Sequence, residues 1–155
     1  MTKEQKQEFT RRISQANKSG MIVILYDIFL AYIQDALDER DNQSVYHASI
    51  KMAKETIQEL MNSINPQTPL AGNYTSLYGF IQRQLTRADA SKDQDILRQL
   101  QSMVTSLRNT YELVSKKDTS PAVMGNVQNV YAGLTYGRDQ LNENLENTDN
   151  RGFLV

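Results

Sequence analysis

The residues of this chain that could do chemistry are few, and Asp27 is the first to ask for an explanation. It sits inside the run Met21-Ile22-Val23-Ile24-Leu25-Tyr26-Asp27-Ile28-Phe29-Leu30. A carboxylate among apolar neighbours is a candidate for a perturbed pKa, the property a general base needs. A lone buried carboxylate more often caps a helix or pairs with a cation, and Arg83 and Arg87 are the candidate partners. His47 is the single histidine, so no multi-histidine metal site is available. The Glu-x-x-His pairs of a di-iron bundle are likewise beyond reach. With zero cysteines there is no thiol nucleophile, thiolate ligand or disulfide framework. Tyr26, Tyr32, Tyr74 and Tyr78 carry phenols, yet at their spacing they read as core or groove lining rather than as catalytic acids. No glycine-rich phosphate loop matches the nucleotide-binding patterns. No nucleophile, base and orienting group come together, so the expectation is a protein that is not an enzyme and takes no cofactor or metal.

What remains is apolar surface, and the elements that carry it are helical. The stretch from Gly20 to Leu37 is the one around which the chain is organised. Its apolar residues run almost all the way round a helix, and such a helix must be covered on every face by protein or by lipid. Its length approaches that of a membrane span. Asp27 near its middle argues against lipid, since a charge there costs roughly 2.5–3.5 kcal/mol, and Gln34-Asp35 comes close behind. The expectation is a buried bundle helix without membrane insertion, whose wide apolar perimeter leaves room for a foreign helix.

Other helices flank it. A short arm, about Thr2 to Ala16, places Phe9, Ile13 and Ala16 on one side, too thin a stripe to hold a helix alone, so it must dock or fray. Asn17 or Ser19 caps the central helix. A second helix, about Gln43 to Ser63, carries the seam Tyr46, Ile50, Ala53, Ile57, Leu60 and Ile64. The run Asn65-Pro66-Gln67-Thr68-Pro69 ends it. A third, about Leu70 to Ala88, carries Tyr74, Leu77 or Tyr78, Ile81, Leu85 and Ala88, weakened by Gly72 and Gly79. Asp93 caps a fourth, running to about Lys116, with Ile96 or Leu97, Leu100, Met103 or Val104, Leu107, Tyr111 and Val114 on its seam. Short connections and complementary seams predict an all-α, antiparallel up-down four-helix bundle. The domain reading is an N-terminal arm over 1–18, a bundle over 19–116 and an Asn/Gly-rich tail over 117–155. In that tail Tyr131, Leu134, Tyr136, Leu141, Leu145, Phe153 and Leu154 are scattered at no firm period. It reads as a flexible extension with docking turns, or as a segment whose aromatic residues and leucines lie in a groove of the bundle.

Composition excludes some partners. A 155-residue chain with a formal net charge of −1 lacks the basic domain or stripe of a nucleic-acid binder. The first eighteen residues are locally basic, which an exposed arm accounts for. No apolar secretory segment comes after Met1, so the N-x-S/T triplets at Asn17, Asn42 and Asn73 are not expected to be glycosylated.

Several stretches carry a resemblance. Ile13-x-x-Ala16 and then Leu25-Tyr26-Asp27 resembles the start of the flagellar export chaperone FliS family, whose first core helix reads approximately A-S-P-x-x-L-I-x-x-L-Y-D. Ile50-Lys51-Met52-Ala53 with Ile57-Gln58-Glu59-Leu60 is similar to its A-x-x-I-I-x-E-L segment. Leu77-Tyr78-Gly79-Phe80-Ile81-Gln82-Arg83-Gln84-Leu85 resembles L-Y-x-Y-x-x-R-x-L, and Ala88 with Lys92-Asp93 matches the A-N-x-x-x-D turn. Leu107-Arg108-x-x-Tyr111 resembles L-R-x-x-W. The likeness spans about Phe9 to Leu113. Asn17-Lys18 replaces the family's Ser/Thr-Pro helix start, and Phe9 stands where N-terminal tyrosines are usual.

The resemblance implies a cytosolic export chaperone that binds the C-terminal segment of flagellin, prevents premature polymerisation and keeps the subunit competent for flagellar type III export. It also implies contact with the flagellar export gate. Recognition would be helix-in-groove, lined on this chain by Tyr26, Ile50, Ala53, Ile57, Leu77, Tyr78, Ile81 and Leu85, with Phe9 and Ile13 as a removable N-terminal lid. A regulatory adapter for another secretion component and a self-associating bundle, homodimeric when unliganded, are the competing readings.

Overall fold

A computed structural model describes residues 1–123, and among them all regular structure is helical: α1 (Lys3–Gln15), α2 (Lys18–Asp38), α3 (Gln43–Asn62), α4 (Ala71–Ser91) and α5 (Gln94–Lys117). Each start but one has a side-chain reason. Thr2 accepts from the Gln5 amide at 3.2 Å while the Gln5 side chain accepts from the Thr2 amide at 2.7 Å, a reciprocal capping box. Asn17 Oδ1 takes the Gly20 amide at 2.8 Å. A Cβ at Gly20 would lie 3.1 Å from that same oxygen, so glycine there keeps the α1–α2 junction tight. Asn42 caps α3 through the Val45 amide at 3.3 Å, and Asp93 caps α5 through the Asp95 amide at 2.9 Å. Only α4 starts without a side-chain cap, at Leu70. It ends on Lys92 with φ of 55°, the left-handed position that usually falls to glycine.

Helix α2 is the hub. It packs along α3 on one side and α5 on the other, α4 closes the ring between those two, and α1 lies on α2. The predicted up-down bundle with a helical arm is therefore the observed fold. By length and composition α2 could cross a membrane, with a mean hydropathy of 1.6. Inside the bundle its residues Met21 to Tyr26, Ile28, Phe29, Tyr32, Ile33 and Ala36 are buried; the first turns are covered on every side, whereas further along Leu30, Ala31 and Leu37 are only partly buried and Gln34 is exposed. Burying one large apolar side chain contributes about 1.5–3 kcal/mol, so this helix dominates the core.

The seams resolve where the sequence left two options. Tyr78 rather than Leu77, Leu97 rather than Ile96, and Val104 rather than Met103 point fully inward. The α3 seam holds from Tyr46 to Leu60, joined by Ser49 and Thr56. Thr56 donates to the Met52 carbonyl at 2.8 Å and Tyr46 to the Ala88 carbonyl at 2.7 Å. Val114, placed on the α5 seam by spacing, is 49% exposed and Leu113 beside it 63%. The arm docks: Phe9 and Ile13 join the core. Beyond α5 the chain turns back on the α1–α2 junction. Asn17 donates to the Asp118 carbonyl at 3.1 Å, and the Val123 amide donates to the Ala16 carbonyl at 2.9 Å. The remaining tail, with the aromatic residues and leucines from Tyr131 to Leu154 expected to dock, lies outside the described residues.

Candidate partner-binding site: a tyrosine-lined cavity

One end of the bundle holds a cavity of about 380 Å³, within the size range of ligand pockets. It opens where α3 stops and α4 has not yet closed on α5. The first turns of α2 supply Lys18, Ser19 and Ile22, the end of α3 supplies Leu60, Ser63 and Ile64, and the α3–α4 connection supplies Pro69 and Leu70. The local reason is the Pro66–Pro69 stretch, which cannot continue α3, so the wall there is loop. Leu70 is 53% exposed on the rim, an apolar side chain with little cover.

The floor is aromatic. Tyr74 and Tyr78 of α4 and Tyr111 of α5 line it, and Tyr26 of α2 lies behind them. The Tyr26 and Tyr78 hydroxyls meet across the bundle at 2.5 Å. The Tyr26 and Tyr111 rings lie 5.7 Å apart, Tyr74 and Tyr78 stack at 6.0 Å, and Tyr74 meets Tyr111 edge-on at 6.2 Å. These separations fall in the favourable range for aromatic pairs. Burial, with smaller effects from the neighbouring phenols, raises Tyr26 and Tyr111 far above the usual tyrosine range. Burial also pushes Tyr78 up to about 12, although the Tyr26 hydrogen bond pulls it back. These phenols stay neutral, so the floor is an uncharged amphipathic surface, apolar by ring and polar by hydroxyl.

The groove residues expected from the resemblance divide into two groups. Tyr78 lines the cavity and Leu77 is partly buried beside the core. Tyr26, Ile50, Ala53, Ile57, Ile81 and Leu85 are each at most 1% exposed; in the isolated chain they form the closed interior beneath. Phe9 at 8% and Ile13 at 1% are covered as well. Sequence reasoning did not single out Ile22, Leu60, Pro69 or Leu70 as cavity wall. Tyr111 had a signal, since it stands at the aromatic position of Leu107-Arg108-x-x-Tyr111.

Asp27 does not pair with Arg83 or Arg87; that expectation is corrected. Its two oxygens accept from Arg12 of α1 at 2.6 Å and from Arg108 of α5 at 2.8 Å, and Arg108 also reaches Glu112 at 2.5 Å. The reason is topological. Helix α4 lies diagonally across from α2 with Arg83 and Arg87 exposed to solvent, whereas α1 and α5 flank α2 and carry the arginines that reach Asp27. The Asp27 carboxylate holds the Arg108 guanidinium above its ordinary pKa, and the group is a structural tie between three helices rather than a base.

A second polar tie sits beside the cavity mouth. Asp118 Oδ1 accepts from the Ser120 hydroxyl at 2.5 Å and amide at 2.9 Å, and Oδ2 accepts from the Ser19 hydroxyl at 2.6 Å. Those bonds, Ser120 first, lower its pKa to about 2.

Comparison with known proteins bears directly on this arrangement. A family model described as "Flagellar protein FliS" matches residues 1–118, the arm and the whole bundle. The flagellar secretion chaperone FliS of Bacillus subtilis (strain 168) is 24% identical over 102 residues, covering 64% of this chain and 77% of that one.

Proposed function

This chain belongs to the FliS family, a family of flagellar secretion chaperones, and from that premise we propose that it binds the C-terminal segment of flagellin in the cytosol. Binding keeps the subunit from polymerising early and competent for type III export through the flagellar export gate. The observation that carries this reading is the open, tyrosine-floored cavity at the end of the bundle, rimmed by the exposed Leu70. A chaperone for an amphipathic segment needs apolar surface that is uncharged but offers hydrogen bonds to a backbone at its margins, and neutral phenols supply both. In this reading Tyr78 and Leu77 touch the client together with Ile22, Leu70, Tyr74 and Tyr111. Tyr26, Ile50, Ala53, Ile57, Ile81 and Leu85 hold that surface from beneath, and client entry displaces the arm carrying Phe9 and Ile13.

Calorimetric titration of the full chain with the C-terminal segment of a flagellin from the same organism tests the reading. Binding with a negative heat-capacity change and a gain in helicity is expected, as for a disordered segment that folds onto apolar surface. Leu70→Asp, a surface change that leaves the core intact, is expected to weaken binding about tenfold or more. A folded sample that takes up no segment at roughly 50 μM would overturn the reading for that client.

A further inference from the structure

We propose that residues 118–123, the strap that follows α5, form a latch on the hinge between α1 and α2 and restrain the release of the arm. The inference concerns how the arm is held in the free protein and does not depend on which client enters the cavity.

The hinge is short, and its form is local in origin. Helix α1 stops at Gln15 and α2 begins at Lys18, so only Ala16 and Asn17 stand between them. Both are extended, with φ and ψ of −80° and 139° at Ala16 and of −79° and −178° at Asn17. An arm that swings away from α2 must turn the backbone angles of these residues, the usual way in which a few element-terminal positions act as a hinge. Residues at helix ends also carry backbone groups that the helix leaves unsatisfied. The Asn17 carbonyl takes the Met21 amide at 2.9 Å, the first bond of α2. The Ala16 carbonyl lies past the end of α1, and it takes the Val123 amide at 2.9 Å. That bond fixes the peptide joining Ala16 to Asn17. The angles at Asn17 then cannot turn without breaking it, and only those at Ala16 are left to move the arm.

The strap is itself held in place. Pro121 disfavours a helical Ser120, so the chain leaves the axis of α5 there. Asp118 Oδ1 accepts from the Ser120 amide and hydroxyl, which folds the start of the strap into a turn. The other carboxylate oxygen accepts from the Ser19 hydroxyl at 2.6 Å, and the Asp118 carbonyl accepts from the Asn17 side chain at 3.1 Å. Val123 packs against the core. Asn17 is therefore held twice, by the Gly20 amide on Oδ1 and by the strap on Nδ2. Helix α5 already reaches the arm through Arg108, Asp27 and Arg12, and the strap gives it a second hold at the hinge. Ser19 is also cavity wall. A molecule that enters the cavity and draws the Ser19 hydroxyl away from Asp118 loosens the latch without touching α1.

Amide hydrogen exchange of the full chain, read residue by residue, tests this. Asp118→Ala combined with Val123→Pro removes the carboxylate and the amide donor and leaves every fully buried core residue in place. Exchange at the α1 amides from Phe9 to Ser14 is expected to quicken about five- to tenfold, with the α3 amides from Ile50 to Leu60 unchanged. Ser19→Ala, which cuts the latch from the hinge side, should give a smaller rise of the same kind and add nothing further in the Asp118→Ala background. Unchanged α1 exchange in the combined variant would overturn the inference. So would an equal rise in all five helices, because the strap would then brace the whole bundle rather than the hinge. Fully additive effects of Ser19→Ala and Asp118→Ala would also overturn it, since the two would not act through one bond. No client enters this experiment, so its failure leaves the flagellin reading standing, and failure of the flagellin titration leaves this one standing.

Discussion

At the scale of single residues, the groups that could have done chemistry are used to hold helices in place. Asp27 ties α1 and α5 to α2 through Arg12 and Arg108, with only 17% of its side chain exposed. Removing the charge from a part-buried, doubly bonded carboxylate leaves two guanidinium groups short of a partner. Asp27→Asn should therefore cost about 2 kcal/mol in chemical denaturation. Arg12→Ala, on the more exposed side, should cost about 0.5–1 kcal/mol; a larger loss for Arg12 than for Asp27 would mean the tie is organised differently. The tyrosines make a second prediction, in alkali. Their folded pKa values lie above the ordinary 10.0, with burial the largest cause: Tyr32 and Tyr78 rise to about 12 and Tyr26 further. For an acid whose folded pKa is raised, the unfolded chain ionises first. The stability contributed by the neutral buried phenols is whole below pH 10 and is lost as pH rises from there toward 12. Phenolate absorbance and helical signal tracked together should show these tyrosines ionising only as the bundle unfolds. Ionisation of the full set with helicity intact would contradict their burial.

At the scale of elements, α4 is the least well specified helix, and its sequence says so. It lacks a side-chain cap and carries Gly72, beside which an added Cβ would meet nothing within 4 Å. Glycine there is not required by packing, so Gly72→Ala should stabilise by about 1 kcal/mol, read as a raised thermal midpoint. If Gly72→Ala destabilised instead, α4 would have to change conformation in a way the bundle does not show. The same element shows what the sequence could convey. Helix positions, the cap at Asp93, the α2 cap to within Asn17 or Ser19, and the inward face of α3 were readable, because periodicity and capping are local physics. The choice of Tyr78 over Leu77 was not, since adjacent seam positions differ by about 100° on one helix and only the neighbours decide which turns in. Asp27 shows the same limit: its surroundings announced a paired carboxylate, but naming the partner required knowing that α4 lies on the diagonal. The cavity was also hidden, because it is a gap among the ends of several helices and no single stretch encodes it. Its aromatic floor left a trace in the tyrosines, whereas Ile22, Leu60 and Leu70 were indistinguishable from core.

At the scale of the whole molecule, the arm and the bundle behave as unequal partners. Helix α1 has 13 residues, a length at which an isolated helix is marginal in water, so its order is borrowed from α2 through Phe9, Ile13 and the Arg12–Asp27 pair. The bundle has no such debt, since α2 is enclosed chiefly by α3 and α5. A charge placed at Ile13, which is 1% exposed, cannot be tolerated in the interior without a partner. The arm can evade that cost by leaving; the bundle cannot. Ile13→Asp should therefore lose about one short helix of circular dichroism signal while a cooperative bundle transition survives at a lower midpoint. If the arm is the lid of a client surface, the same variant should bind the flagellin segment more tightly than the parent, because the work of displacing α1 has already been done. Tighter binding by the variant would identify α1 as a competitor for the client's place. Equal affinity, with the arm shown to be undocked, would make α1 a structural brace on α2 and leave the cavity end of the bundle as the whole of the binding surface.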